Sequence, residues 1–246
     1  MYKKGKQMFK QLLAGLVLWA VMLGSVIANP IDDRCPQFTA YGAPQANFSA
    51  TTQFLCRTNY AVIHSCVAKS PIAVMERVTV ASITGPAKRR DDFREDPEVT
   101  PECRSRLPDY VGQPYDRGHM APGANNTQNE KIMSESFLMS NMVAQVPNNN
   151  RGIWKQLETS VREQVTSTGQ ELYVISGGIY EAGFQTIGPG RVGVPTKLYK
   201  IIINKNTGKV TAFLFPNTAL PVADLPKYMT TVEAVEQASG LKFKTK

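Results

Sequence analysis

Apolar positions recur along the chain at two spacings. Short β-branched or aromatic runs bounded by polar and turn residues fall at Phe54-Leu55-Cys56, Tyr60–His64, Ile72–Ile83, Phe137–Val143, Leu172–Ser176, Lys197–Asn204 and Val210–Phe215. Each predicts a strand. Gly85-Pro86 closes the third run, Gly177-Gly178 the fifth, and Asn204–Lys209 turns the sixth into the seventh as a hairpin. Trp154, Leu157, Val161 and Val165 recur instead at i, i+3, i+7 and i+11, the stripe of an amphipathic helix. Thr230-Thr231-Val232-Glu233 reads as a capping box for a last helix that Gly240 ends. The pattern is α+β with a mostly antiparallel sheet, and with no repeat or linker it predicts one domain over residues 54–246. Residues 29–53, rich in Pro, Gly, Ala and Asn, predict an irregular surface arm.

The first 28 residues follow neither spacing. Four lysines up to Lys10 precede an apolar run from Leu12 to Ala28, ending Val26-Ile27-Ala28. This is the layout of a cleaved signal peptide, so a secreted or periplasmic protein with no lasting membrane association is expected. A retained leader would instead anchor the chain, although the run is short for a span of ~20 residues. Without residues 1–28 the formal charge falls from +8 to +4. That balance is compatible with nucleic acid and does not demand it. All four cysteines lie beyond the leader, and an even count in an exported chain predicts two disulfides. No C-x₂-C spacing supports a zinc site. Three pairings are open to them, with Cys35–Cys56 and Cys66–Cys103 preferred.

Candidate chemistry gathers between Tyr115 and Arg162. His119 is one of only two histidines and sits in Asp116-Arg117-Gly118-His119. It is the natural general base near neutral pH. Asn150 and Glu158 offer hard oxygens of the kind Mg²⁺ or Ca²⁺ takes. Arg117, Arg151 and Arg162 can hold an anion. Together these imply phosphodiester hydrolysis. Each also has a plainer reading: Asn150 stands where a helix N-cap would, and the charged run Lys88–Asp96 is an ordinary solvated loop unless it clamps phosphate. His64, with apolar neighbours and no ligand at useful spacing, predicts a structural strand residue. Gly188-x-Gly190-x-x-Gly193 matches a dinucleotide motif in letters only, because a strand and not a helix follows it.

The ordered set resembles the DNA/RNA non-specific endonucleases, the ββα-metal or His-Me finger nucleases of endonuclease G type. The resemblance rests on Phe93-Arg94-Glu95-Asp96-Pro97, Asp116-Arg117-Gly118-His119, Ser140-Asn141, Asn150-x-Gly152-x-Trp154-x-x-Leu157-Glu158, Val194–Lys197 and Gly240–Phe243. It spans roughly Cys56 to the C-terminus. It implies a ββα-metal motif cutting DNA and RNA, with His119 as general base and Asn150 as the direct ligand of one Mg²⁺, for which Mn²⁺ or Ca²⁺ could substitute. Glu158 would reach the cation through water, Asn141 would help fix the site, and Arg117 and Arg162 would surround it. The phosphate-binding arginine falls on Arg89, with Arg90 the alternative one residue along. Asp116 would hold the turn. Oligomeric state stays open, a homodimer included. Two rivals remain: a nucleic-acid-binding protein without catalysis, and a small-molecule phosphodiesterase, whose usual paired-carboxylate or multi-histidine cluster is absent.

Overall fold

The computed structural model describes residues 30–245; the leader lies outside them. In chain order the strands are β1 (Gln53–Cys56), β2 (Tyr60–Ser65), β3 (Ser70–Val78), β4 (Asp116–His119), β5 (Met142–Gln145), β6 (Leu172–Ile179), β7 (Thr186–Ile187), β8 (Val192–Gly193), β9 (Lys197–Asn204), β10 (Val210–Pro216) and β11 (Met229–Thr230). The helices are α1 (Pro30–Arg34), α2 (Val80–Ile83), α3 (Glu130–Glu135), α4 (Lys155–Thr168) and α5 (Val232–Ser239). Seven strands make one antiparallel sheet in the order β1-β2-β3-β6-β9-β10-β11, while β4 pairs with β5 and β7 with β8. The expected α+β class with an antiparallel core is what the chain adopts.

Alternation along the strands sends side chains to two cores. One face carries Val62, Val74, Val174, Leu198 and Phe215, packed under Trp154, Leu157, Val161 and Val165 of the predicted helical stripe. Burying a large apolar side chain contributes roughly 1.5–3 kcal/mol, which is what holds α4 against the sheet. The other face carries Ile63, Met75, Ile175 and Ile201, covered by α1, α5 and the closing Leu241 and Phe243. Hairpin β4–β5 followed by α4 is the ββα unit that the resemblance implied.

Several local expectations change. The 29–53 stretch is less of an arm than expected: α1 forms, and Ile31, Cys35, Phe38 and Ala43 are buried in the second core. Apolar residues spaced among its turn formers outweigh the local Pro and Gly content. The run Ile72–Ile83 divides, because the Thr79 side chain accepts from Ser82 N and caps α2. Phe137–Val143 is not one strand; a 3₁₀ turn at Met139–Asn141 precedes β5. β6 passes through Gly177-Gly178, where a Cβ on Gly177 would collide with the Ile72 carbonyl of β3. The disulfides Cys35–Cys56 and Cys66–Cys103 both form. Among the described residues no helix is long and apolar enough to cross a membrane.

Candidate active site

Gly118 shows why the histidine motif has its sequence. β4 runs against β5 with Gly118 opposite Val143, and any Cβ on it would strike the side chain of Gln145. The close approach brings His119 to the end of β4, where the indole of Trp154 donates from Nε1 to its carbonyl at 3.2 Å. The imidazole is 9% exposed, and its Nε2 has no hydrogen-bond partner. Its ring packs against Phe93 and Phe137, with centroids 5.6 and 5.0 Å away. The same two rings seat the arginines. Arg117 Cζ stands 4.1 Å from the centroid of Phe93, and Arg89 Cζ stands 5.0 Å from that of Phe137. Imidazole and guanidiniums thereby share the same aromatic platforms, the ring by aromatic packing and the arginines by cation–π contact.

Before α4 the backbone makes a wide turn of π type over Asn149–Trp154, with Gly152 leaving helical geometry at φ −103°, ψ −106°. Such bulges are frequent at functional sites. Asn150 lies inside this turn and does not act as an N-cap, the plainer reading considered above. Its Nδ2 donates to Asp116 Oδ2 at 2.9 Å. Asp116 also accepts from Arg151 Nε at 2.8 Å and Nη2 at 2.5 Å. Burial works to raise the Asp116 carboxyl, but the bonds from Arg151 and Asn150 outweigh it and hold it below its ordinary range. Asp116 thus does more than hold a turn. It commits the amide end of Asn150 and leaves the carbonyl end for another partner.

His119, Asn150, Glu158, Arg89, Arg117 and Arg162 line a single cavity of about 550 Å³. Of the two candidate arginines in the upstream run, Arg89 lines it. Arg90 instead pairs with Glu130 at 2.8 Å. Arg89 meets Asp91 at 2.7 Å, an exposed pair that an arriving anion can displace. Glu158 is half-buried with Oε1 shielded and unpartnered. Burial raises its carboxyl above the ordinary range, against the pull of Lys200 and Arg162. His119 is pushed down to about 3, first by burial and then by the Arg89 charge, with Asp91 opposing and Arg117 adding.

Asn141 is not in the cavity. It is fully buried, accepting from Ala121 N at 2.9 Å and donating to the Ala121 and Ser136 carbonyls at 2.8 Å each. With Met120 N bonded to Asn141 O, it locks the chain leaving His119 to the turn before β5. Sequence reasoning missed several contributors. Asp96 is one: buried, it accepts from both Arg57 Nη2 and Ser140 Oγ and so pins the 93–97 segment beside Asn141. Phe93 and Phe137 are others; an aromatic beside an arginine-rich run was the available signal. Asn125, considered below, carried none.

A divalent cation implied by the resemblance can be tested against these groups. Among the described residues no group of three or more His, Cys, Asp and Glu could cage a metal ion. Mg²⁺ keeps several waters and takes few protein oxygens. A single carboxamide oxygen at Asn150, with the Glu158 carboxylate bordering the same space, fits that habit.

Comparison with known proteins points the same way. The chain is 33% identical over 210 residues to the mitochondrial nuclease EXOG of Homo sapiens, covering 78% of this chain and 57% of that protein. It is 31% identical over 222 residues to human mitochondrial endonuclease G, covering 84% of this chain and 73% of that one. It thus spans little more than half the length of the first relative. A crystal structure of an EndoG/EndoGI complex superposes with TM-score 0.78 at 28% identity, covering 86% of this chain and 91% of that chain. These relatives overturn the expected localisation. They are mitochondrial nucleases, and nothing in the comparisons supports a secreted, periplasmic or leader-anchored protein. A basic, acid-poor start is common to leaders for several destinations, so charge and hydropathy at residues 1–28 did not choose among them. The family model for DNA/RNA non-specific endonucleases matches residues 38–246, and the chain belongs to that family.

Proposed function

We propose that the chain is a sugar-non-specific endonuclease that hydrolyses phosphodiester bonds in DNA and RNA, with His119 as general base and one Mg²⁺ held by Asn150. The observation that carries this reading is the meeting, around one cavity, of an imidazole, an oriented carboxamide, a carboxylate and four guanidiniums. The phosphodiester enters between Arg89, Arg117 and Arg162, which bind its non-bridging oxygens and read no base. The His119 imidazole lines the site and takes the proton from the attacking water. Burial and the arginines keep the imidazole neutral, so the acceptor is ready at neutral pH. Attack builds negative charge on the phosphate oxygens, and guanidiniums already fixed by aromatic rings stabilise it without reorganising. A divalent cation held by Asn150 would supply further charge stabilisation to those oxygens and the leaving group. Asp116 fixes the carboxamide that receives the cation, and Glu158 completes the pocket with its free oxygen.

The test is cleavage of circular single-stranded DNA, duplex DNA and RNA, each with Mg²⁺ and with EDTA. All three substrates are expected to be cut, and EDTA to stop cutting reversibly. Binding without cleavage of any substrate would leave a nucleic-acid-binding protein. Hydrolysis of a nitrophenyl phosphate ester with none of plasmid would make it a small-molecule enzyme.

A further inference from the structure

The two faces of the large sheet differ in polarity. At central positions the face toward α1 and α5 is apolar: Ile63, Met75, Ile175 and Ile201. The face under α4 carries Glu76 and Lys200 among valines and leucines, 2% and 1% exposed. Burying charges is costly unless they are paired and hydrogen-bonded. Neither residue lines the cavity, so the chemistry proposed above does not use them.

Their contacts lead to the site. Glu76 Oε1 accepts from Asn125 Nδ2 at 3.0 Å. The other end of the same carboxamide, Asn125 Oδ1, accepts from Arg162 Nη1 at 3.2 Å. Arg162 Nη2 then donates to Thr159 Oγ1 at 3.0 Å, so both ends of its guanidinium are tied. Asn125 is 2% exposed and follows Pro122-Gly123-Ala124, which form part of the cavity wall. Lys200 lies on the same sheet face, its Nζ bonded to Ser176 Oγ at 2.7 Å and 4.4 Å from the centroid of Trp154. Burial raises the Glu76 carboxyl to about 7, against the Lys200 charge and the bond from Asn125.

Above that pH the Glu76 carboxyl is ionised, and an ionised carboxylate accepts and cannot donate. It forces the amide end of Asn125 toward itself and the carbonyl end toward Arg162. We infer that Asn125, held in one orientation by the buried carboxylate of Glu76, is a positioning residue that aims Arg162 at the substrate phosphate. A carboxamide without that neighbour could turn over and face Arg162 with its own amide hydrogens. The inference rests on the nuclease reading, in which Arg162 contacts phosphate.

The experiment is a double-mutant cycle on duplex DNA affinity, read by fluorescence anisotropy in EDTA so that nothing is cut. Arg162→Met is expected to weaken binding on the order of tenfold, as loss of a charge-assisted phosphate contact does. The slope of log affinity against log salt should become shallower by about 0.9. Asn125→Leu and Glu76→Leu should each lose part of the same affinity. Combined with Arg162→Met, neither should weaken binding beyond Arg162→Met alone, since each acts through that guanidinium. In steady-state cleavage the single variants should raise KM while kcat stays within a few-fold. Losses that add in the double variants would overturn the inference, as would wild-type affinity in Asn125→Leu. Asn125→Ala, which only removes atoms, takes its place if Asn125→Leu does not fold. Wild-type affinity in Arg162→Met would overturn it too, and the cleavage rate of His119→Ala then tells whether the nuclease reading falls with it.

Discussion

The chain has two buried histidines, and their surroundings differ in every respect that matters for chemistry. His64 lies in β2, 0% exposed, with Nε2 bonded to the Cys103 carbonyl at 3.0 Å and the Cys66–Cys103 disulfide alongside. His119 lies at the end of β4 and lines a cavity shared with four guanidiniums, those of Arg89, Arg117, Arg151 and Arg162. Burial lowers the pKa of both. Residue type, burial and direction of shift therefore do not distinguish base from brace. Each ring even keeps one buried nitrogen without a partner, and the distinction is the arginine-lined cavity that His119 borders and His64 does not.

Replacing each histidine breaks this comparison most directly. His119→Ala should lose ~10²–10⁴-fold in cleavage rate, the usual contribution of a general base, while duplex binding persists on the arginines. His64→Ala should lower the melting temperature and leave the specific activity of folded protein nearly unchanged. A folded but inactive His64→Ala, or His119→Ala cleaving within a few-fold of wild type, would reverse the assignment.

Next in size is Asn150, the proposed cation ligand. Asn150→Ala should reduce Mg²⁺-dependent cleavage at least tenfold and raise the Mg²⁺ concentration at half-maximal rate. The melting temperature should move little, because the Asn150 side chain caps no helix. Wild-type Mg²⁺ dependence in Asn150→Ala would remove Asn150 as ligand.

The His64 region should respond to the opposite treatment. Replacing Cys66 and Cys103 together by alanine should cost ~2–4 kcal/mol of stability, typical of a disulfide closing a loop of this length. Cleavage by the protein that remains folded should hold within about twofold. A loss of rate matching that of Asn150→Ala at temperatures where the variant is folded would mean that the two regions are coupled.

How far these regions can be read in sequence follows from what each depends on. The β4 motif, the helical stripe and the hairpin at 204–210 depend on local spacing, and spacing is written in the chain. The sheet order and the packing of α1 depend on distant partners. So do the shared rings of Phe93 and Phe137 and the chain from Glu76 through Asn125 to Arg162, which joins residues 49 and 37 positions apart. That Arg89 and not Arg90 lines the cavity depends on Glu130, which pairs with Arg90 from a helix 40 residues on. The turn at Asn149–Trp154 is likewise invisible to a search for caps, because a backbone kink at Gly152, and no side-chain cap, precedes α4.

The smallest expected effect concerns protons. With two histidines in the chain, their ring Cε1–H signals can be followed by NMR from pH 8 to 5 without cation or substrate. An unperturbed imidazole titrates near ~6.5, and burial with the Arg89 and Arg117 charges moves His119 to about 3. The His119 signal should therefore stay at its neutral shift throughout, and His64, whose pKa burial also lowers, should not titrate at the unperturbed value; a titration near ~6.5 in either would break the parallel. The sign for stability follows. Between about 6.5 and 3 the unfolded chain binds a proton at residue 119 that the folded chain refuses, so this group removes stability as pH falls. Glu76, raised to about 7 by burial, acts oppositely: its contribution is full below its ordinary value near 4.5 and is lost as pH rises to about 7. Substrate then separates the two histidines. A phosphodiester brings negative charge to His119 and raises its pKa, whereas His64 faces no such space. The acid limb of kcat, which reports the loaded enzyme, should accordingly lie at higher pH than the acid limb of kcat/KM, which reports the free one. Coincident limbs would mean that the phosphate does not come to rest beside His119.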